Sequence, residues 1–140
     1  MKKYLIALVA LLVVVTGCGN TKKLNCTMEE DGTKGVMNME FDKEDNLTKL
    51  TLKMTEEFET ELTKEEVETY KGVSSLACAA YNADYTDCKV DVTSKALELE
   101  VVYNVSKMTD AQREEEGFTK EDTTYEAMKK DAEDTGFTCK

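Results

Sequence analysis

ALELEVVYNV, residues 96–105, decides the fold class. Leu97, Leu99, Val101, Tyr103 and Val105 alternate with Glu98, Glu100 and Asn104. That period of two belongs to a strand with one face on a core and the other in water, not to a helix. Working outward, Cys88, Val90 and Val92 alternate in the same way. Ser94-Lys95 makes the turn between the two runs, so the pair reads as an antiparallel hairpin.

The same period fills the first part of the chain. Leu24, Cys26 and Met28 alternate up to Asp31-Gly32, a dipeptide suited to a tight hairpin turn. Met37, Met39 and Phe41 follow. A second turn at Lys43-Glu44-Asp45-Asn46 leads to Leu50, Leu52, Met54 and Phe58, with Thr51, Lys53 and Thr55 on the opposite face. Three antiparallel strands are expected here.

Between these strand regions the period becomes helical. Thr63-Lys64-Glu65-Glu66 is a capping box, and Val67, Tyr70, Val73, Ala77 and Ala80 follow at helical spacing with Cys78 on the apolar face. Gly72 lies inside the run and costs about 1 kcal/mol relative to alanine, so a break or kink is expected there. Thr109-Asp110-Ala111-Gln112 opens a short acidic helix closed by Gly117. A last helix is expected from Lys120 to Thr135, capped by Thr119 with Asp122, with Tyr125, Met128 and Ala132 on one stripe. Gly136 and Phe137 suit the left-handed residue and the hydrophobic contact that end a helix. The fold class expected is α+β: an antiparallel sheet of about five strands in the order β-β-β-α-β-β-α-α, with the helices packed on one face.

The amino terminus states an address. Lys2 and Lys3 precede eleven apolar residues, Leu5 to Val15. That run matches an export signal and is shorter than the roughly 20 residues needed to span a bilayer. Val15-Thr16-Gly17-Cys18 resembles the lipobox of bacterial lipoproteins, which implies cleavage after Gly17 and a diacylglyceryl group on the Cys18 thiol. Residues 1–17 are therefore read as a signal peptide, 18–25 as a lipidated polar tether, and 26–140 as a single domain. Removing Lys2 and Lys3 leaves 16 basic residues against 29 acidic ones, a net charge of 16 − 29 = −13. Such a charge opposes nucleic acid, whose phosphates require clustered cations. The partners expected are the membrane, through the lipid, and a cell-surface ligand or protein.

Four cysteines follow Cys18: Cys26, Cys78, Cys88 and Cys139. In an exported chain they read as two disulfides, and three pairings are open. The preferred pairing joins Cys78 to Cys88 and Cys26 to Cys139. These would close loops worth about 2.7 and about 4.8 kcal/mol in the chain-entropy model.

The lipobox at Cys18, the first strand with Cys26 and Asp31-Gly32, the run Val101-Val102-Tyr103-Asn104-Val105-Ser106-Lys107-Met108 and the closing Gly136-Phe137 together resemble the YehR-like lipoproteins, small lipid-anchored domains without an assigned activity. The resemblance implies helices against an antiparallel sheet and implies no catalytic residue. The four mature cysteines depart from the pattern of that family.

Chemistry is sparse. The chain has no histidine, which removes the commonest general base and zinc ligand and every serine–histidine or cysteine–histidine scheme. Glu56, Glu57, Glu59 and Glu61, and Glu114 to Glu116, offer carboxylates for a histidine-free hydrolase. They equally form solvated acidic runs at turns and helix starts. Asp42 to Asn46 begins like a calcium loop, but Leu47 stands where that loop needs glycine and Lys53 where it needs glutamate, which leaves only weak calcium association. Met28, Met37, Met39 and Met54 share a strand face, where thioethers either bind a soft metal or fill a core. Asn25-Cys26-Thr27, Asn46-Leu47-Thr48 and Asn104-Val105-Ser106 match the glycosylation triplet by chance in a bacterial chain. No catalytic residue, cofactor or dedicated metal site is expected. The leading expectation is a non-enzymatic surface-binding domain, with the carboxylate hydrolase and a soft-metal or calcium protein as alternatives.

Overall fold

A computed structural model describes residues 21–81 and 83–140. Residues 1–17, read as a signal peptide, and Cys18, read as a lipidation site, lie outside them. Strands β1 (Lys22–Glu30), β2 (Thr33–Phe41) and β3 (Leu47–Glu57) form a meander, followed by helix α1 (Lys64–Ala79) and the hairpin of β4 (Thr86–Val92) and β5 (Ala96–Tyr103). Helices α2 (Asp110–Glu115) and α3 (Tyr125–Asp134) and a short strand β6 (Thr138–Cys139) complete the chain. The sheet is antiparallel with strand order β4-β5-β3-β2-β1-β6.

Register gathers the apolar positions onto one face. One rung runs through Leu24, Met39, Leu50, Tyr103 and Thr86, the next through Cys139, Cys26, Met37, Leu52, Val101 and Cys88. The opposite face carries Asn38, Thr51, Lys53, Glu98 and Glu100, and among the described residues no helix lies over it. The core sits at one end of the apolar face. Leu24, Met39, Phe41, Leu47 and Leu50 are buried there beneath Ala132, Met128 and Tyr125 of α3 and beneath Val105 and Met108. Phe118, just after α2, packs edge-on to Tyr103 at 5.3 Å, and Tyr125 meets Phe41 at 5.5 Å.

Local signals shape the connections. Asp31 and Gly32 both take positive φ, 47° and 81°, as the two-residue turn between β1 and β2 requires. Thr63 caps α1 with a full capping box to Glu66, and Thr109 caps α2 with Gln112. Gly136, at φ 96°, ends α3: its N–H donates to the Glu133 carbonyl, and that of Phe137 donates to Ala132.

Several boundaries differ from expectation. The sheet has a sixth strand. β6 is two residues long, too short to show a period, and it is added at the β1 edge where Cys139 faces Cys26. Residues 22–25, read as tether, belong to β1, and Leu24 is fully buried. Val105 leaves the strand for a 3₁₀ turn, Val105–Lys107, that drops its side chain into the core. The last helix starts at Tyr125 under a Thr124 cap. The Thr119–Asp122 pair closes a separate turn, in which the Thr123 hydroxyl donates to the Thr119 carbonyl and is buried. α1 runs through Gly72 unbroken.

The main difference concerns α1 itself. Its apolar residues were expected on the sheet, yet none of its residues is buried. Val67, Ser74 and Cys78 are half-buried and form its inner stripe, and its neighbour is the edge strand β4.

Candidate functional site

The structure joins Cys26 to Cys139 and Cys78 to Cys88, with Cα atoms 4.0 and 5.4 Å apart. Cys26 and Cys88 lie on the same rung of the sheet. One bridge therefore fastens β6 at one edge and the other fastens α1 at the opposite edge.

The carboxylates do not converge. Glu57 accepts from Lys34 at 2.8 Å, Glu61 pairs with Lys95 at 3.3 Å, and Glu116 accepts from the Tyr85 hydroxyl at 3.0 Å. The first two contacts lie at the end of β3 near Ala96 and Lys95, and the third at the opposite end of the sheet, near Thr86 and Tyr103. The hydrogen bond from Lys34 holds Glu57 below the usual carboxylate range, and the Thr63 backbone N–H does the same for Glu66. A general acid needs the opposite direction of shift.

The Asp42–Asn46 loop spends its oxygens on itself. Asp42 accepts from the backbone N–H of Glu44 and Asn46, each at 2.9 Å, and from the Asn46 side-chain amide. Those donors, chiefly Asn46, lower its pKa. Asp45, at φ 69°, accepts from Lys22 at 2.9 Å and from the Tyr125 N–H at 3.3 Å, tying the start of β1 to the start of α3. The loop is a structural clasp. Among the described residues no three His, Cys, Asp or Glu side chains are grouped to hold a metal ion.

The methionines do share one sheet face. Met28 and Met54 flank Gly35 on a single rung, and Met37 is one rung along. Met39 is buried in the core. Phe137 occupies the space over Gly35: a β-carbon there would stand 3.2 Å from the ring's Cζ and 3.3 Å from Met28 Cγ. Phe137 and Met28 thus share the space over Gly35, while Met54 is 46% exposed.

What the structure exposes is α1. Val73 is 64% and Leu76 76% exposed, while Tyr70 and Tyr81 are 42% and 39% exposed. Tyr70, Val73 and Leu76 belong to α1, Tyr81 follows it, and the remaining large exposed apolar residue among those described is Met54 of β3, at 46%. Tyr70 lies beside Phe58 at 5.4 Å, and Tyr81 turns edge-on to Tyr103 at 6.3 Å. Periodicity did point to Tyr70 and Val73 as part of the apolar side of a helix, but not to Leu76 or Tyr81. It could not show that the Cys78–Cys88 bond rotates them away from the sheet. Among the described residues an open hollow of about 340 Å³ lies beside Arg113, Phe118 and Lys120.

No protein-family model and no curated protein matches the chain. Its fold is similar to the solution structure of the YehR protein of Escherichia coli, with a TM-score of 0.63 and 16% identity over 88% of this chain and 93% of that one. It is also similar to the solution structure of a protein from Streptococcus pneumoniae TIGR4, with a TM-score of 0.54 and 9% identity over 89% of this chain and 87% of that one. At such identities the likeness is one of fold.

Proposed function

We propose that the chain is a bacterial lipoprotein whose small, acidic, disulfide-clamped domain stands outside the cytoplasmic face of the membrane and acts by binding and not by catalysis. The observation that carries this reading is the sequence Val15-Thr16-Gly17-Cys18 directly after a short apolar run. Two disulfides suit an oxidising compartment and agree with it. Binding is favoured over hydrolysis because the carboxylates are dispersed into ion pairs, turns and caps, whereas the apolar side of α1 is exposed. Two acyl chains hold a protein on a bilayer effectively without release, since each buried methylene contributes about 0.8 kcal/mol.

Cell fractionation tests the address. The native chain is expected in the membrane fraction with a mass increased by acyl groups, and Cys18→Ser is expected in the soluble extracytoplasmic fraction at the mass of its polypeptide. Native protein with an unmodified Cys18, or native protein free in the cytoplasm, overturns the reading.

A further inference from the structure

The stretch GVSSLACAAYNA, residues 72–83, holds twelve residues without a charge in a chain of which 34% is charged. No other uncharged run after residue 21 is as long. α1 presents most of it. With Val67, Ser74 and Cys78 turned to β4, helical spacing places Val73, Leu76 and Ala80 on the outer stripe. The Cys78–Cys88 bridge fixes that rotation.

The position of this surface relative to the start of the domain limits what can cover it. Lys22 pairs with Phe41, Phe41 with Leu47, Leu50 with Tyr103 and Tyr103 with Thr86. Lys22 and Thr86 therefore lie at the same end of the sheet. Tyr81 packs against Tyr103, so α1 also finishes at that end. Cys18 precedes Lys22 by four residues, which span at most about 14 Å when fully extended at ~3.5 Å per residue.

We propose that the outer stripe of α1, Val73, Leu76 and Ala80, together with Tyr81, docks on the lipid surface to which Cys18 ties the chain. This inference rests on the lipoprotein reading above. The occupant is a bilayer because a lipid at Cys18 holds this end of the sheet within reach of the headgroups. A domain of net charge −13 can approach them most closely through a surface that bears no charge of its own. Tyrosine rings, apolar with a polar tip, suit the boundary between headgroups and chains.

The absence of tryptophan supplies the test. Full-length protein carrying Leu76→Trp, purified from membranes, is reconstituted into phosphatidylcholine vesicles with or without bromine on the acyl chains. Lys89→Trp, on the uncovered face of the sheet, is the comparison. Expected is a blue-shifted emission for the indole at position 76, quenched roughly twofold by brominated chains as a ring at the membrane boundary would be, with neither effect at position 89. In the unsubstituted protein, amide exchange across 72–81 should be slower on vesicles than in detergent.

Protein that sediments with vesicles but shows water-like, unquenched emission at position 76 overturns the docking and leaves the anchor standing. A blue shift that grows with protein concentration in the absence of vesicles assigns the surface to a second copy and also overturns it. Protein that does not sediment with vesicles removes the anchor and the docking together.

Discussion

Gly35 shows how one missing side chain shapes the sheet. The strand conformation at this position does not need glycine; the ring of Phe137 does, because it lies over Gly35 between the Met28 and Met54 positions. Gly35→Ala is expected to push that ring outward and cost about 1–2 kcal/mol as an overpacking change, measured by denaturant unfolding. Asp42 makes a different kind of contribution. Its carboxylate accepts four contacts from Glu44 and Asn46, and its folded pKa lies below the unfolded value. The stability it adds is therefore present above the unfolded pKa and lost as pH falls through the folded one. Asp42→Ala should lower the melting temperature most at neutral pH, and the difference from wild type should shrink as the solution becomes more acidic than the ordinary carboxylate range.

At the scale of elements, α1 is the least integrated part of the domain. It has 16 residues, none buried, and a capping box at its start. Helices of this length are marginal in water without tertiary support. Here the support is one half-buried stripe and the bond from Cys78 to Cys88. Cys88→Ser is expected to collapse amide-exchange protection across 64–79 and leave protection in β2 and β3 close to that of wild type. Loss of protection throughout the sheet would show that α1 contributes more to the core than its exposure indicates.

The legibility of elements in the sequence follows the same physics. Strands β1 to β5 were readable because period two survives wherever one face is buried. The caps of α1 and α2 were readable because they need particular side chains at a fixed spacing. The start of α3 was not: Thr119-Asp122 and Thr124 both make sound cap hydrogen bonds, and tertiary packing of Tyr125 on Phe41 decides where the helix begins. β6 was invisible because two residues carry no period. The Cys78–Cys88 bond that orients α1 was legible, but not that it leaves Val73 and Leu76 turned outward. The periodic reading included Tyr70, Val73 and Ala80 without marking them as exposed, and it missed Leu76 and Tyr81.

Across the whole molecule, stability has two unequal sources. An apolar core that includes Cys26 fills one end of the sheet, Val92 is buried toward the other, and the two disulfides fasten the edges. The resolved ion pairs are exposed, Lys53 with Glu98 at 3.0 Å among them, and such pairs contribute ~0–1 kcal/mol each. They do not offset a net charge of 16 − 29 = −13 over residues 18–140. Raising salt from about 20 mM to about 500 mM shortens the Debye length from roughly 20 to roughly 4 Å and screens this self-repulsion. The melting temperature should rise with salt; a steady fall would mean that the ion pairs outweigh the repulsion.

The bridge that closes the β1 edge joins residues 113 positions apart. For a chain threaded through a membrane with residue 26 emerging first, Cys26 must wait unoxidised while 113 more residues cross, and Cys78 and Cys88 emerge in the interval. The ten-residue loop between those two can close early, on a local hairpin and helix. Sealing of the domain thus has a built-in order set by emergence. An oxidant acting too soon could trap Cys26 with the wrong thiol, so the native pairing requires either slow oxidation or an isomerase on the far side.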